Sequence, residues 1–397
     1  MPDKPIYAVG LDAGSTKTRM VVCALEDRLR LLGCAVVESQ GWSKGSIADQ
    51  RAVTESVLAA LEEAERSAGV SVESAVVGMG GSSLRGAAGR GVVELGYPRE
   101  IHQRDVNRVK EHAANVQLAE DRMVLQVYPQ DFVVDDHPGH REPRKMTAAR
   151  LELNVHLLTA SVQEHSALVG AVNRAHLLVE ETVFEAQAAW YAAVKPEERR
   201  EGVAVLDIGA ESTSLVVYYD EAMCLASNVR VCGSHFTSDL ARGLCVNPAE
   251  AELVKIEYGR ARAAGSPENI LVELPAPEGR GPRQAPMRHV DLILESRARD
   301  LFRLVRGELA RVGMEHALLG GVFLAGGGAR LTEILEVAAD ELGCQSRFGL
   351  VEGIDDWPKS MGTPDWCTAA GLAMYSAKLK EQTERQRAVV GWLSKIL

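Results

Sequence analysis

Hydrophobic and polar positions along the chain lay out one pattern twice. Residues 6–11 form an apolar run that reads as a buried strand. Residues 12–17 are a polar turn with a glycine, and residues 19–25 are a second apolar strand. About half a chain later the pattern recurs, with a strand over 203–206, a glycine turn over 207–213 and a strand over 214–219. The copies GLDAGSTKTRMVV and VLDIGAESTSLVVY align on Asp-x-Gly, a polar turn and an apolar second strand. Such an internal duplication predicts two lobes of common design.

Between the copies, apolar residues at Val53, Val57, Leu58 and Leu61 keep helical spacing and predict a helix over 46–68. A buried strand over 72–78 then runs into the turn GMGGSS (78–83). From 84 to 159 the character changes, with frequent Gly and Pro and short β-like runs at 124–127, 132–134 and 151–158, which reads as a small inserted α+β subdomain. Helical patterns resume near 162 and at 185–194, and a charged, Pro-containing linker covers 195–201. After the second copy, helices are expected over 247–259 and 291–312, with a Pro/Gly-rich gap at 275–286. A strand at 322–325 enters GGGA (326–329), a helix follows over 331–342, and an Ala- and Gly-rich helix over 365–379 is small enough to pack closely on a sheet.

Bulk properties exclude several classes. With 46% apolar and 25% charged residues the chain is an ordinary globular protein, and its net charge of −11 is the wrong sign to attract nucleic acid through its overall field. The seven cysteines are scattered without a C-x-x-C pair, which argues against a zinc site or a disulfide framework. His137, His140 and His156 lack the spacing of metal ligands and are read as structural. No apolar stretch of signal-peptide length precedes Asp12, and no run approaches the roughly 20 apolar residues of a membrane-spanning helix.

The three glycine turns carry the chemistry. A turn that receives phosphates needs glycine for close backbone approach and small hydroxyl side chains as donors. Gly14, Ser15, Thr16 and Lys17 supply these in the first copy, and Gly209, Ser212 and Thr213 in the second. Asp12 and Asp207 would face each other across a cleft, where two carboxylates suit a magnesium ion held through its waters. Gly326, Gly327 and Gly328, between a buried strand and a helix, offer bare backbone on which a base or ribose can lie. One Asp-x-Gly hairpin is most often only a turn, but three such turns in this order with the duplication predict a nucleotide site.

This layout resembles the actin–hexokinase–heat-shock-chaperone superfamily and, within it, the FtsA family of bacterial cell-division proteins, from about residue 6 to the C-terminus. The most specific stretches are YPQDFVVDDHPGHREPRKMTAARLELNVHLLTAS (128–161) and GSHFTSDLARGLCVNPAEAELVKIEYG (233–259). The resemblance implies an actin-like two-lobed α/β fold with duplicated ribonuclease-H-like subdomains. It would divide the chain into a first-lobe core (1–83, completed by 160–197 and 366–378), an inserted family-specific subdomain (84–159), a second-lobe core (200–236, completed by 312–365), an outer subdomain (237–311), a flexible linker (379–388) and an amphipathic helix (389–397). It implies bound ATP and Mg2+, with Glu252 and Lys255 at the ribose or base. It also implies a tether for FtsZ filaments on the cytoplasmic face of the inner membrane at the septum, with self-association into filaments and contacts to later division proteins.

Two segments depart from the family pattern. Residues 142–146 (Glu-Pro-Arg-Lys-Met) stand where Gly-Met usually follows an Asp-Pro pair, and Ala210-Glu211 occupies the second phosphate turn where Gly-Gly is common. A β-carbon and a carboxylate beside the phosphates put turnover in question more than binding, so at most weak ATPase activity is expected. An actin-like pilus-assembly adaptor and a small-molecule kinase of the same superfamily are the alternatives; no dedicated acid in a suitable motif marks a kinase base.

Two surface features complete the reading. Val389, Trp392, Leu393, Ile396 and Leu397 fall on one helical face, and residues 378–397 hold five basic residues against two acidic, a local balance of +3. That is the pattern of an interfacial membrane anchor, with a terminal helix docking on its own core as the alternative. The arginine-rich helix over 291–312 is either a solvated face or, as the resemblance implies, the docking site for the acidic, apolar C-terminal peptide of FtsZ, through Arg297, Arg303 and Arg306.

Overall fold

The computed structural model describes residues 5–267, 269–274 and 283–393, with side chains through residue 384. The first lobe opens as an antiparallel meander of β1 (Ile6–Ala13), β2 (Lys17–Leu25) and β3 (Leu29–Glu38). A two-residue hairpin, β4 (Trp42–Ser43) and β5 (Ser46–Ile47), turns through Lys44 and Gly45, both at positive φ, and leads to α1 (Gln50–Ala68). Helix α1 starts later than the periodicity predicts because Asp49 caps it, its side chain accepting from the Arg51 and Ala52 N–H groups. It ends at Gly69 in the left-handed conformation. Strand β6 (Ser74–Met79) then pairs parallel to β1.

The inserted subdomain is a four-stranded antiparallel sheet rather than a set of short runs. It comprises β7 (Arg85–Glu100), α2 (Gln103–Ala114), β8 (Arg122–Val134), β9 (His137–His140) and β10 (Thr147–Ser161), in the order β7-β10-β8-β9. Bulges at Gln130 and Leu125 interrupt the alternation of β8, which is why its pattern reads as two pieces. Helix α2 covers one face, burying Val106 and Val109 against Leu151, Leu153 and Val155.

The chain returns to the first lobe through α3 (Val162–Arg174), β11 (Leu178–Phe184) and α4 (Glu185–Ala193), completing the order β11-β6-β1-β2-β3. The second lobe repeats this design. An antiparallel meander of β12 (Val203–Ile208), β13 (Thr213–Tyr219) and β14 (Ala222–Val229) is followed by α5 (Gly233–Leu244), α6 (Pro248–Tyr258), the pair β15 (Leu271–Leu274) and β16 (Arg283–Pro286), and α7 (Met287–Arg311). Then β17 (Gly321–Ala325), α8 (Ile334–Leu342) and β18 (Ser346–Phe348) give the order β14-β13-β12-β17-β18. Both sheets are therefore three antiparallel strands extended by two parallel ones, so the duplication legible in two hairpins is a duplication of whole sheets.

The last helix, α9 (Cys367–Leu393), packs with α4 between the sheets. Close approach explains its small residues, since a Cβ on Gly371 would overlap the Ala188 carbonyl and one on Gly10 of β1 would overlap that of Ala369. Trp190 of α4 stacks on Tyr218 of β13, with ring centroids 4.1 Å apart. Strand β12 has both faces buried, with Val203 and Val205 towards α4 and Ala204 and Leu206 towards the second lobe's own helices. The backbone of α9 is continuous across 379–388, where the sequence reading expects a flexible linker. The residues there, LKEQTERQRA, are good helix formers without Gly or Pro. The side chains of Val389, Trp392 and Leu393, and Ile396 and Leu397 altogether, lie outside the described residues.

Candidate functional site

The hairpins β1–β2 and β12–β13 bring their turns to opposite walls of one cleft of about 830 Å3. Asp12, Gly14, Ser15, Thr16 and Lys17 line it from the first lobe, and Asp207, Gly209 and Ser212 from the second. Glu252, Lys255, Gly326, Gly327 and Gly328 complete the expected set. Thr213 is the exception. It begins β13, paired with Ile208 and Val229, and is fully buried rather than a wall of the cleft. Ser234, Thr237 and Ser238 of α5 add hydroxyl groups that the sequence reading did not select.

Burial governs the acids at the centre. Loss of water raises the Asp12 carboxyl to about 7, Arg19 draws it down, and Asp207 and Asp365 push it further up. Asp207 is raised by burial too, against a 2.6 Å hydrogen bond donated by Thr368 Oγ1 and the charge of Arg19. Glu185, the first residue of α4, also lines the cleft, and burial followed by the charges of Asp12 and Asp207 holds it far above the ordinary range. Sequence reasoning missed Glu185. Its one signal was Gly80 in the GMGGSS turn, where a Cβ would collide with the Glu185 carboxyl. Arg19 was missed as well; it bonds Asp365 Oδ2 at 2.8 Å, both side chains nearly buried, and so reaches the cleft already paired.

Three carboxyl groups pressed together in a cleft lined by glycine and hydroxyl turns make chemical sense with a cation between them. Among the described residues no group of three His, Cys, Asp or Glu is placed to hold a metal alone. The donor set therefore fits a magnesium ion carried by carboxylates, waters and phosphate oxygens together, rather than a protein cage. Asp12 and Asp207 would hold that ion, and its charge would bring all three acids back to their ionised forms.

The remaining walls are already organised. Lys17 pairs with Glu38 across the meander, so it stands at the cleft tied to an acid. Lys255 bonds Glu252 at 2.7 Å and Thr237 Oγ1 at 2.9 Å, joining α6 to α5. Gly326, at φ +81°, closes on β12 so tightly that a Cβ would overlap Asp207 Oδ1 and the Ile208 carbonyl. Gly327 meets nothing within 4 Å and opens onto the cleft. Gly326→Ala is accordingly expected to destabilise the fold by roughly 3 kcal/mol, whereas Gly327→Ala stays within about 0.5 kcal/mol yet lowers affinity for any ligand seated there. Denaturant unfolding of both variants checks the pair.

The arginines of α7 are not free. Arg297 bonds Asp239 at 2.6 Å, while Arg299, Arg303 and Arg306 converge on Glu341 of α8 at 2.9, 3.4 and 3.9 Å. The hydrogen bond from Arg299 leads in holding Glu341 below the usual carboxylate range. Arg303 and Arg306 remain about half exposed.

The chain's likenesses agree with this architecture. Residues 204–371 match the family described as cell division protein FtsA, and residues 81–159 match the SHS2 domain inserted in FtsA, which coincides with the four-stranded insert. The cell division protein FtsA of Borreliella burgdorferi is 31% identical over 98% of both chains. That of Pseudomonas aeruginosa is 30% identical over 95% of this chain and 90% of its own. Among solved structures, the PilM-PilN type IV pilus biogenesis complex matches with a TM-score of 0.66 at 18% identity, covering 93% of this chain and 98% of its own. MreB5 of Spiroplasma citri bound to ADP matches with a TM-score of 0.57 at 14% identity, covering 95% and 98%. At such identities the structures establish the actin-like fold alone, and the family rests on the sequence matches. The chain belongs to the FtsA family of cell-division proteins.

Proposed function

We propose that this protein binds Mg-ATP between its lobes, associates with further copies of itself, and tethers FtsZ filaments to the cytoplasmic face of the membrane at the division septum. The observation that carries the nucleotide reading is the cleft. Two glycine hairpins from duplicated sheets, each carrying an aspartate, line it from the two lobes, and a third glycine turn and the Glu252–Lys255 pair line it as well. Phosphates would lie along the hairpin turns, and the base and ribose against Gly326–Gly328 and α6.

Family membership favours a cell-division role over the pilus-assembly alternative. Glu185 is the acid best placed to act on a water near the phosphates. Its burial among like charges makes any hydrolysis depend on the cation that ionises it.

The tether needs two further contacts. At the membrane, residues 389–397 supply an amphipathic segment with a basic approach. Among the described residues no helix is long and apolar enough to cross a bilayer. For FtsZ, the arginine face of α7 would take the acidic tail peptide, exchanging the Glu341 carboxylate for the peptide's own. Arg303→Glu is expected to weaken binding of a fluorescent FtsZ tail peptide about tenfold by anisotropy; unchanged affinity would remove Arg303 from the docking face.

A further inference from the structure

The second phosphate turn holds a contact that its sequence does not announce. Glu211 lines the cleft, and its Oε2 accepts the Gly45 N–H at 2.6 Å. Gly45 belongs to the β4–β5 hairpin of the opposite lobe, so this bond spans the cleft. The hairpin is itself anchored: Ser46 Oγ donates to Glu164 Oε1 at 3.1 Å, and Ser83 Oγ bonds the other oxygen of Glu164. Gly81 lies against Gly45, and Asn228 of the second lobe donates to the Gly81 carbonyl at 2.6 Å. Gly45 and Gly81 of the first lobe and Glu211 of the second thus meet at one lip, and the hairpin presents a fixed N–H to which Glu211 comes.

No lysine, arginine or histidine among the described residues pairs with the Glu211 carboxylate. A neutral N–H leaves its negative charge in place beside turns otherwise built from glycine and hydroxyl groups. On the nucleotide reading above, which this inference rests on, the Lys255 side of the cleft takes the ribose and base. The polyphosphate would lie along the hairpin turns, and because Glu211 belongs to the second of them a terminal phosphoryl group would come beside its carboxylate.

We infer that Glu211 is both a latch between the lobes and the residue by which the cleft discriminates nucleoside diphosphate from triphosphate. A third phosphoryl group adds negative charge whether or not a magnesium ion is bound, and it adds that charge against Glu211. The diphosphate leaves the latch closed; the triphosphate is held against repulsion and loosens the Glu211–Gly45 bond. Like charges a few ångström apart at a partly screened site cost about tenfold in affinity.

The test compares ADP and ATP, each with Mg2+, in competition with a fluorescent nucleotide on the full chain. Glu211→Gln keeps an oxygen acceptor for the Gly45 N–H and removes the charge; Glu211→Ala removes both. The expected result is a shift of the ATP-to-ADP affinity ratio towards ATP by about tenfold in both variants. Hydrogen exchange at the Gly45 amide should be slow in ADP-bound wild type and in Glu211→Gln, and faster in Glu211→Ala and in ATP-bound wild type. A ratio within about twofold of wild type in Glu211→Gln overturns the inference while leaving the nucleotide site intact. Wild-type protein that binds neither nucleotide overturns the site and the inference together.

Discussion

Asp12→Asn is expected to make the nucleotide-free protein more stable while removing most of its affinity for Mg-ATP. In the folded chain burial raises the Asp12 carboxyl to about 7, against about 4 in an unfolded chain. Below pH 4 both states are protonated and the site has no effect. As pH rises from about 4 to 7 the unfolded state loses its proton first, so stability falls through that window and the full penalty applies above it. A difference of this size corresponds to roughly 4 kcal/mol, and asparagine, which has no charge to bury, abolishes it. Asp207 and Glu185 are raised in the same direction, so each removal of an acid also relieves the others. The expected readout is a melting temperature several degrees higher at pH 8 and little changed at pH 4. Asparagine cannot supply the carboxylate that orients the ion's waters, so Mg-ATP affinity is expected to fall about 10–100-fold. A variant that is less stable at pH 8, or that binds Mg-ATP normally, would contradict the account of the cleft.

Deleting residues 389–397 is expected to abolish binding to anionic liposomes and leave nucleotide binding unchanged. Each apolar side chain of the segment buried in the headgroup boundary contributes roughly 1.5–3 kcal/mol before ordering is counted, and the basic residues just upstream add attraction to an anionic surface. One short helix gives reversible binding only. The self-association proposed above would link many such anchors, and avidity would then raise apparent affinity by about 100-fold or more. The weak anchor and the polymer are therefore complementary. Full-strength sedimentation of the truncated protein with liposomes would mean that the membrane contact lies elsewhere in the chain.

The sequence made the paired hairpins legible because their chemistry is local. An aspartate, a glycine and two hydroxyl residues within seven positions mark each turn, and both turns line the cleft. Gly326–Gly328 was legible for the same reason. Thr213 was misassigned because a turn's last residue and a strand's first differ by one position, and that position turned it from the cleft into the sheet. Glu185 was invisible because nothing adjacent in sequence marks it; its role comes from the end of β11 meeting the Gly80 turn. Arg19 and Asp365 lie far apart in the chain and become one buried pair only through the fold. The arginines of α7 read as a free basic face because Glu341, the acid they share, sits on another helix. Ala210-Glu211 read as a weakened phosphate turn, and the structure gives its carboxylate a partner on the other lobe.

In the proposed function one chain couples a nucleotide cleft to a membrane and to FtsZ. Flotation of liposomes with purified FtsZ polymers tests it most directly. FtsZ is expected to rise with the lipid when the full chain and Mg-ATP are present, and to stay at the bottom when the chain lacks residues 389–397 or carries Asp12→Asn. FtsZ that floats equally with either variant, or fails to float with the full chain and Mg-ATP, would contradict it.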